Sequence, residues 1–148
     1  MSDFLGLDIS GAGMSVQRQR LRVIAENLAN QQTTGPDGPY QRKRVVIEAA
    51  PVDSFAKAFD GALAERGDHD GATSVRVAAV RPDGAQPVRV YDPHHPHADR
   101  DGYVELPNIS VFREMAEMME ASRAYEANLA ASKSTQDMLH SALDLLRR

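Results

Sequence analysis

Apolar residues recur at both ends of the chain with helical spacing. Near the start, Leu7, Met14, Leu21 and Leu28 lie seven residues apart and Ile24 joins their face, which predicts a helical stripe from about Phe4 to Asn30. Gly11 and Gly13 weaken its first turns, so Met14 to Ala29 is its firmest part. Arg18, Arg20 and Arg22 fall mostly off the stripe and are expected to stay solvated. The breakers in Thr33-Thr34-Gly35-Pro36-Asp37-Gly38-Pro39 should end the helix near Asn30. Toward the other end, steps of four and three residues give Val111, Met115, Met118, Ser122, Tyr125, Leu129, Ser132, Gln136, Leu139, Leu143 and Leu146. Eight of these eleven are apolar, and no Gly or Pro interrupts the run after Pro107, so one helix from about Asn108 to Arg148 is predicted. It would be roughly 60 Å long, against roughly 35–40 Å for the first.

Between them the pattern is irregular. Tyr40 to Glu48, with Val45-Val46-Ile47, reads as a strand. Phe55, Phe59 and Leu63 have the spacing of a short helix, and Gly61, Gly67 and Gly71 among charged residues mark a loop. Ser74 to Val80 and Val88 to Tyr91 read as two more strands around an Asp83-Gly84 turn. Three strands make a small antiparallel unit with little core of its own. The predicted fold is α+β, with long N- and C-terminal helices pairing as a coiled coil. The segments are an N-terminal helix over 1–34, a β-rich centre over 35–107 and a C-terminal helix over 108–148. A stripe this long cannot be covered by such a centre, and each buried Leu or Met is worth roughly 1.5–3 kcal/mol. The helices therefore call for other copies or other chains.

Composition narrows the function. Of 148 residues only four are Phe and four Tyr, with no Trp, which fits apolar surface spent on helices and not on one compact core. A net charge of -4 argues against a protein built to grip nucleic acid. With no cysteine, disulfides, zinc thiolates and thiol nucleophiles are excluded. The N-terminal Met-Ser-Asp-Phe-Leu-Gly-Leu-Asp has neither the basic nor the apolar region of a cleaved signal peptide, and no run approaches a membrane span.

Candidate chemistry is sparse. His94, His95 and His97 crowd with Asp92, Asp99 and Asp101, which are metal-ligand types. Pro93 and Pro96 bracket the histidines and stiffen the segment, favouring a turn over a metal site. Asp99-Arg100-Asp101-Gly102 fails as a calcium loop, because His97 and Asn108 occupy its first and last ligand positions. Arg42-Lys43-Arg44 reads as a solvated strand edge or an intersubunit ion pair before a nucleic-acid patch. Met115, Met118 and Met119 read as seam residues, with Ser122, Ser132 and Gln136 helping to fix register. No phosphate loop or nucleophile–base pair occurs, and His140-Ser141 is a chance neighbour pair on a helix. No enzyme, cofactor or small-molecule substrate is expected. The competing class is a small binding module using the histidine turn.

Three segments carry a resemblance. Arg20-Leu21-Arg22-Val23-Ile24-Ala25-Glu26-Asn27-Leu28-Ala29-Asn30 with Thr33-Thr34, and then Gly38-Pro39-Tyr40, resembles the N-terminal motif of the flagellar axial rod and hook protein family. Tyr91-Asp92-Pro93-His94-His95-Pro96-His97-Ala98-Asp99 with Gly102-Tyr103-Val104, and the sequel Glu114-Met115-Ala116-Glu117-Met118-Met119, resembles its basal-body rod proteins of the proximal rod, the FlgC type. Gln31-Gln32 and Arg113 depart from that pattern. The resemblance implies a subunit exported unfolded through the flagellar export apparatus without a cleaved signal. It implies assembly in the periplasm with copies of itself and other rod proteins. It also implies turn and packing roles for Asp92, Pro93, Pro96, Gly102, Tyr103, Pro107 and Asn108. The expected helix-packing interface is Leu7, Met14, Leu21, Ile24, Leu28, Val111, Met115, Met118, Ser122, Tyr125, Leu129, Leu139, Leu143 and Leu146.

Overall fold

The computed structural model describes residues 2–36, 38–51 and 73–146. Their elements run α1 Ser2–Ala29, β1 Lys43–Pro51, β2 Thr73–Pro82, β3 Val88–Tyr91, β4 Tyr103–Leu106 and α2 Val111–Leu146. This is the predicted α+β layout, with a helix toward each end. Gly11 and Gly13 do not delay α1, which forms from Ser2 as one 28-residue helix. Its end lies where the breakers place it: the Asn30 side chain donates to the Glu26 carbonyl at 2.8 Å, and Thr33 Oγ1 donates to Asn30 Oδ1. The 36 residues of α2 follow from a sequence without Gly or Pro, beginning one residue after the Ser110 carbonyl that accepts the Glu114 N–H. The helix expected at Phe55, Phe59 and Leu63 and the loop at Gly61, Gly67 and Gly71 lie outside the described residues.

The strands differ from expectation. Four occur among the described residues instead of three, in two separate two-stranded sheets, β1 with β2 and β3 with β4. The added strand is β4, so Tyr103 opens a strand and is not part of a turn. It pairs antiparallel with β3, placing Val88 opposite Leu106, Val90 opposite Val104, and Tyr91 opposite Tyr103. Alternation puts the two valine pairs' side chains on one face, where Val104 is 2% exposed. Arg89, Glu105 and the tyrosines take the other face.

The chain divides into two compact units. The first draws on Met1–Arg18, Ile47–Ala78 and Arg123–Arg148, the second on Gln19–Val46 and Ala79–Ser122. In the first, Ser10, Gly13 and Val16 of α1 are buried. In the second, Val23, Ile24, Val104 and Ala121 form the apolar core, with Pro107 also buried.

Candidate functional site

The most deeply buried large side chains of the second unit are polar, Glu114 at 0% and Asn27 at 1% exposed. A buried carboxylate persists only with a cation and hydrogen bonds around it. Arg42 supplies both: its Nε donates to Glu114 Oε1 at 2.7 Å, Nη1 to Asp83 at 2.9 Å and Nη2 to Glu117 at 3.0 Å. Glu114 and Glu117 are on α2, Asp83 follows β2, and Arg42 immediately precedes β1. Burial works against the Arg42 cation, yet its hydrogen bonds to Glu114 and Asp83 more than offset that, and its proton is held more firmly than usual.

Asn27 completes the knot from α1. Its amide nitrogen donates to the Lys43 carbonyl at 2.8 Å and to Glu114 Oε2 at 3.2 Å, while its oxygen accepts the Lys43 N–H at 2.9 Å. One side chain thus satisfies both backbone groups of Lys43, as a neighbouring strand would. The Tyr40 hydroxyl also donates to Asn27 Oδ1 at 3.0 Å. Burial, and then the Glu26 charge, raise the Tyr40 pKa and keep it a donor. Lys43 pairs with Glu26 beside it. The Arg42-Lys43-Arg44 run is therefore no plain solvated edge, since Arg42 is the hub of an intramolecular network. Arg20, expected in solvent, is half-buried and 3.9 Å from Glu120.

The helix faces also shift. On α1 the buried Gly13 and Asn27 lie one residue before Met14 and Leu28 of the predicted line, whose members Leu7, Met14, Leu21 and Leu28 are only half-buried. Ile24 is buried as placed. On α2, Val111, Met118, Ser122, Tyr125 and Leu139 are half-buried, but Met115, Leu129 and Leu143 are exposed. The buried positions there are Glu114 and Ala121, again one residue earlier than Met115 and Ser122. The Leu146 side chain lies outside the described residues. Within the first unit, Gly13 approaches Asn128 so closely that a Cβ on it would sit 2.9 Å from the amide nitrogen, and Gly6 comes near Thr135. The sequence signal for these inward positions of α1 was the parallel line of Gly6 and Gly13 in the first unit and Arg20 and Asn27 in the second, hidden because its members are small or polar.

What turns outward on α2 is apolar. Phe112 is 87% exposed, with Met115 and Met119 on its face in the second unit. Leu129, Met138, Leu143 and Leu145 are exposed in the first.

The resembling turn is built by local bonds. Asp92 Oδ1 accepts the His94 N–H, and the Asp92 N–H donates to the Gly102 carbonyl at 2.9 Å. Asp99 Oδ1 accepts the N–H groups of Asp101 and Tyr103. The Tyr103 bond foremost, then those from Asp101 and Arg89, hold the Asp99 carboxyl below its usual range. Gly102 has φ 79°, and a Cβ there would meet the Tyr91 ring at 3.0 Å and Pro93 at 3.2 Å, so only glycine fits. Pro93 and Pro96 are exposed on the turn, while Pro107 is buried beside exposed Asn108. His95 Nδ1 accepts the His97 N–H at 3.1 Å, and His97 Nδ1 lies 2.8 Å from Thr34 Oγ1.

Comparison with known proteins decides the family. A protein named flagellar basal-body rod protein FlgC from Borreliella burgdorferi is 38% identical over 154 residues, covering 99% of each chain. The chain belongs to the FlgC family of flagellar basal-body rod proteins. FlgC proteins of Agrobacterium fabrum and Salmonella typhimurium are 38% and 39% identical, covering 94% and 93% of this chain and 91% and 93% of their own. A family profile described as "Flagella basal body rod protein" matches residues 7–36, within which Asn27 lies. A second, "Flagellar basal body rod FlgEFG protein C-terminal", matches 100–145, within which Glu114 and Glu117 lie. Of the four places that supply the knot in this FlgC-family chain, two, α1 and α2, thus lie in the segments that mark the family.

Proposed function

We propose that this chain is a structural subunit of the flagellar basal-body proximal rod, polymerising through its terminal helices and passing torque from the rotor toward the distal rod and hook. The observation that carries the reading is the outward apolar line on α2, headed by Phe112 at 87% exposure with Met115 and Met119 beside it. Uncovered side chains of this kind at helical spacing mark a surface completed by another molecule. Their partners are helices of further copies and of other rod proteins, meeting in coiled-coil fashion. Torque passes through many such contacts, none of which needs a reacting group, so the protein works without catalysis. The subunit reaches the periplasm through the flagellar export apparatus without a cleaved signal. Contacts between copies are heterologous, so they propagate a helical array and do not close into a dimer.

Deletion of the chain should abolish swimming and leave basal bodies without a complete rod under the electron microscope. Met115→Asp with Met119→Asp should reproduce that loss while the purified variant keeps its helical circular dichroism. Normal rods and swimming in the deletion strain would sink the assignment.

A further inference from the structure

In the second unit, α2 offers two lines for burial: Glu114, Glu117 and Ala121, or Met115 and Met119 with Phe112 beside them. By apolar burial alone the second line would go inside. The structure does the reverse. Glu114 and Ala121 are fully buried, while Phe112, Met115 and Met119 are exposed. Successive helix residues are turned by about 100°, so with Glu114 inward those three lie about 100–160° around the axis, all on one side.

The inward line is held at two points. Arg42 Nε donates to Glu114, and Nη2 donates to Glu117 one turn further on. Two contacts one turn apart resist rolling of the helix about its axis, as a single bond would not. The arginine is itself anchored. Its carbonyl accepts the Asp83 N–H at 2.7 Å, and Asn27 of α1 satisfies both backbone groups of the next residue, Lys43. Asn27 also donates to Glu114 Oε2. Rolling α2 to bury its methionines would strip Glu114 of Arg42 and Asn27 together, and a buried carboxylate does not tolerate losing its cation.

We propose that Arg42 and Glu114 are positioning residues for assembly: their network fixes the rotation of α2 and so keeps Phe112, Met115 and Met119 turned outward. The inference rests on the reading of the chain as a polymerising rod subunit, whose assembling face those three residues head. The buried charges give the helix one rotation where apolar residues alone would allow others.

The chain has no cysteine, so single reporters test this in the purified full-length protein. Met115→Cys should react with a maleimide about tenfold or more faster than Ala121→Cys, because the second is reached only through local opening. Equal rates at the two positions overturn the proposal. Arg42→Met with Glu114→Met, added to both reporters, should bring the ratio to about threefold or less while helical circular dichroism is retained. Glu117→Ala removes one of the two points at a half-buried position, so it folds without the buried-charge change and should lower the ratio in part. An unchanged ratio in either folded variant overturns the proposal. Val104→Ala takes away core without touching the network and should leave the ratio as it is. A collapse there too would make the ratio a measure of stability, and the positioning role would fall. In cells the Arg42→Met, Glu114→Met chain should form no rods, and normal rods from it also overturn the proposal. Normal rods after deletion of the whole chain remove instead the rod reading beneath it, which the labelling ratio does not depend on.

Discussion

In the first compact unit, α1 meets α2 where Gly13 leaves no room for a Cβ beside Asn128 and Gly6 lies near Thr135. In the second, α1 meets α2 through Asn27 and Glu114, with Arg42 gathering three carboxylates around the junction. The first contact depends on smallness and close approach, which charge and pH barely touch. The second depends on every member being present, because a buried carboxylate without its cation costs far more than the intact pair gains. The two contacts should therefore fail under different insults.

The largest effect should come from breaking the knot by halves. Arg42→Ala leaves Glu114 buried without a cation and should cost about 3–5 kcal/mol in chemical denaturation. Arg42→Met with Glu114→Met removes both charges, leaves Asp83 and Glu117 in partial contact with water, and should lie within roughly 1–2 kcal/mol of the parent. A double variant as unstable as the single would show that shape and not charge holds this unit.

The glycine contact sharpens the other side. A Cβ on Gly11 would meet nothing within 4 Å, so Gly11→Ala should stabilise by up to ~1 kcal/mol through helix propensity. Gly13→Ala should forfeit that gain against Asn128, and adding Asn128→Ala should recover it. Thermal unfolding of the three variants checks the order, and equal melting for Gly11→Ala and Gly13→Ala would remove the close-approach account.

The smallest effect belongs to the turn of the second unit. Asp99 is more acidic folded than unfolded, so its contribution is complete above the ordinary carboxylate range and is lost as pH falls through the lowered value. Acidification should weaken hydrogen-exchange protection of the Asp101 and Tyr103 amides, and Asp99→Asn should flatten that dependence. No matching change is expected around Gly13 and Asn128. Uniform loss of protection in both places would dissolve the contrast.

Much of the architecture was readable from the chain. Period-seven leucines and an uninterrupted 3–4 pattern announced α1 and α2, and the glycine-proline segment after Asn30 ended the first helix. Val88 to Tyr91 was seen as a strand, while β4 was hidden because four residues inside a turn motif carry too little alternation to stand out. The knot was missed because Arg42, Glu114 and Asp83 look like ordinary surface charges until their sequence separations of 72 and 41 residues close.

Local order alone fixed where the chain coils, extends and turns, since backbone preference and periodicity act within a few residues. Which line of each helix faces inward was settled only by tertiary packing. A seven-residue repeat fits two adjacent lines equally well, and close approach favoured the one bearing glycine, alanine and a satisfiable polar network over the one bearing leucine and methionine. That choice left Phe112, Met115 and Leu129 facing outward, a property of the folded arrangement that no window of sequence contains.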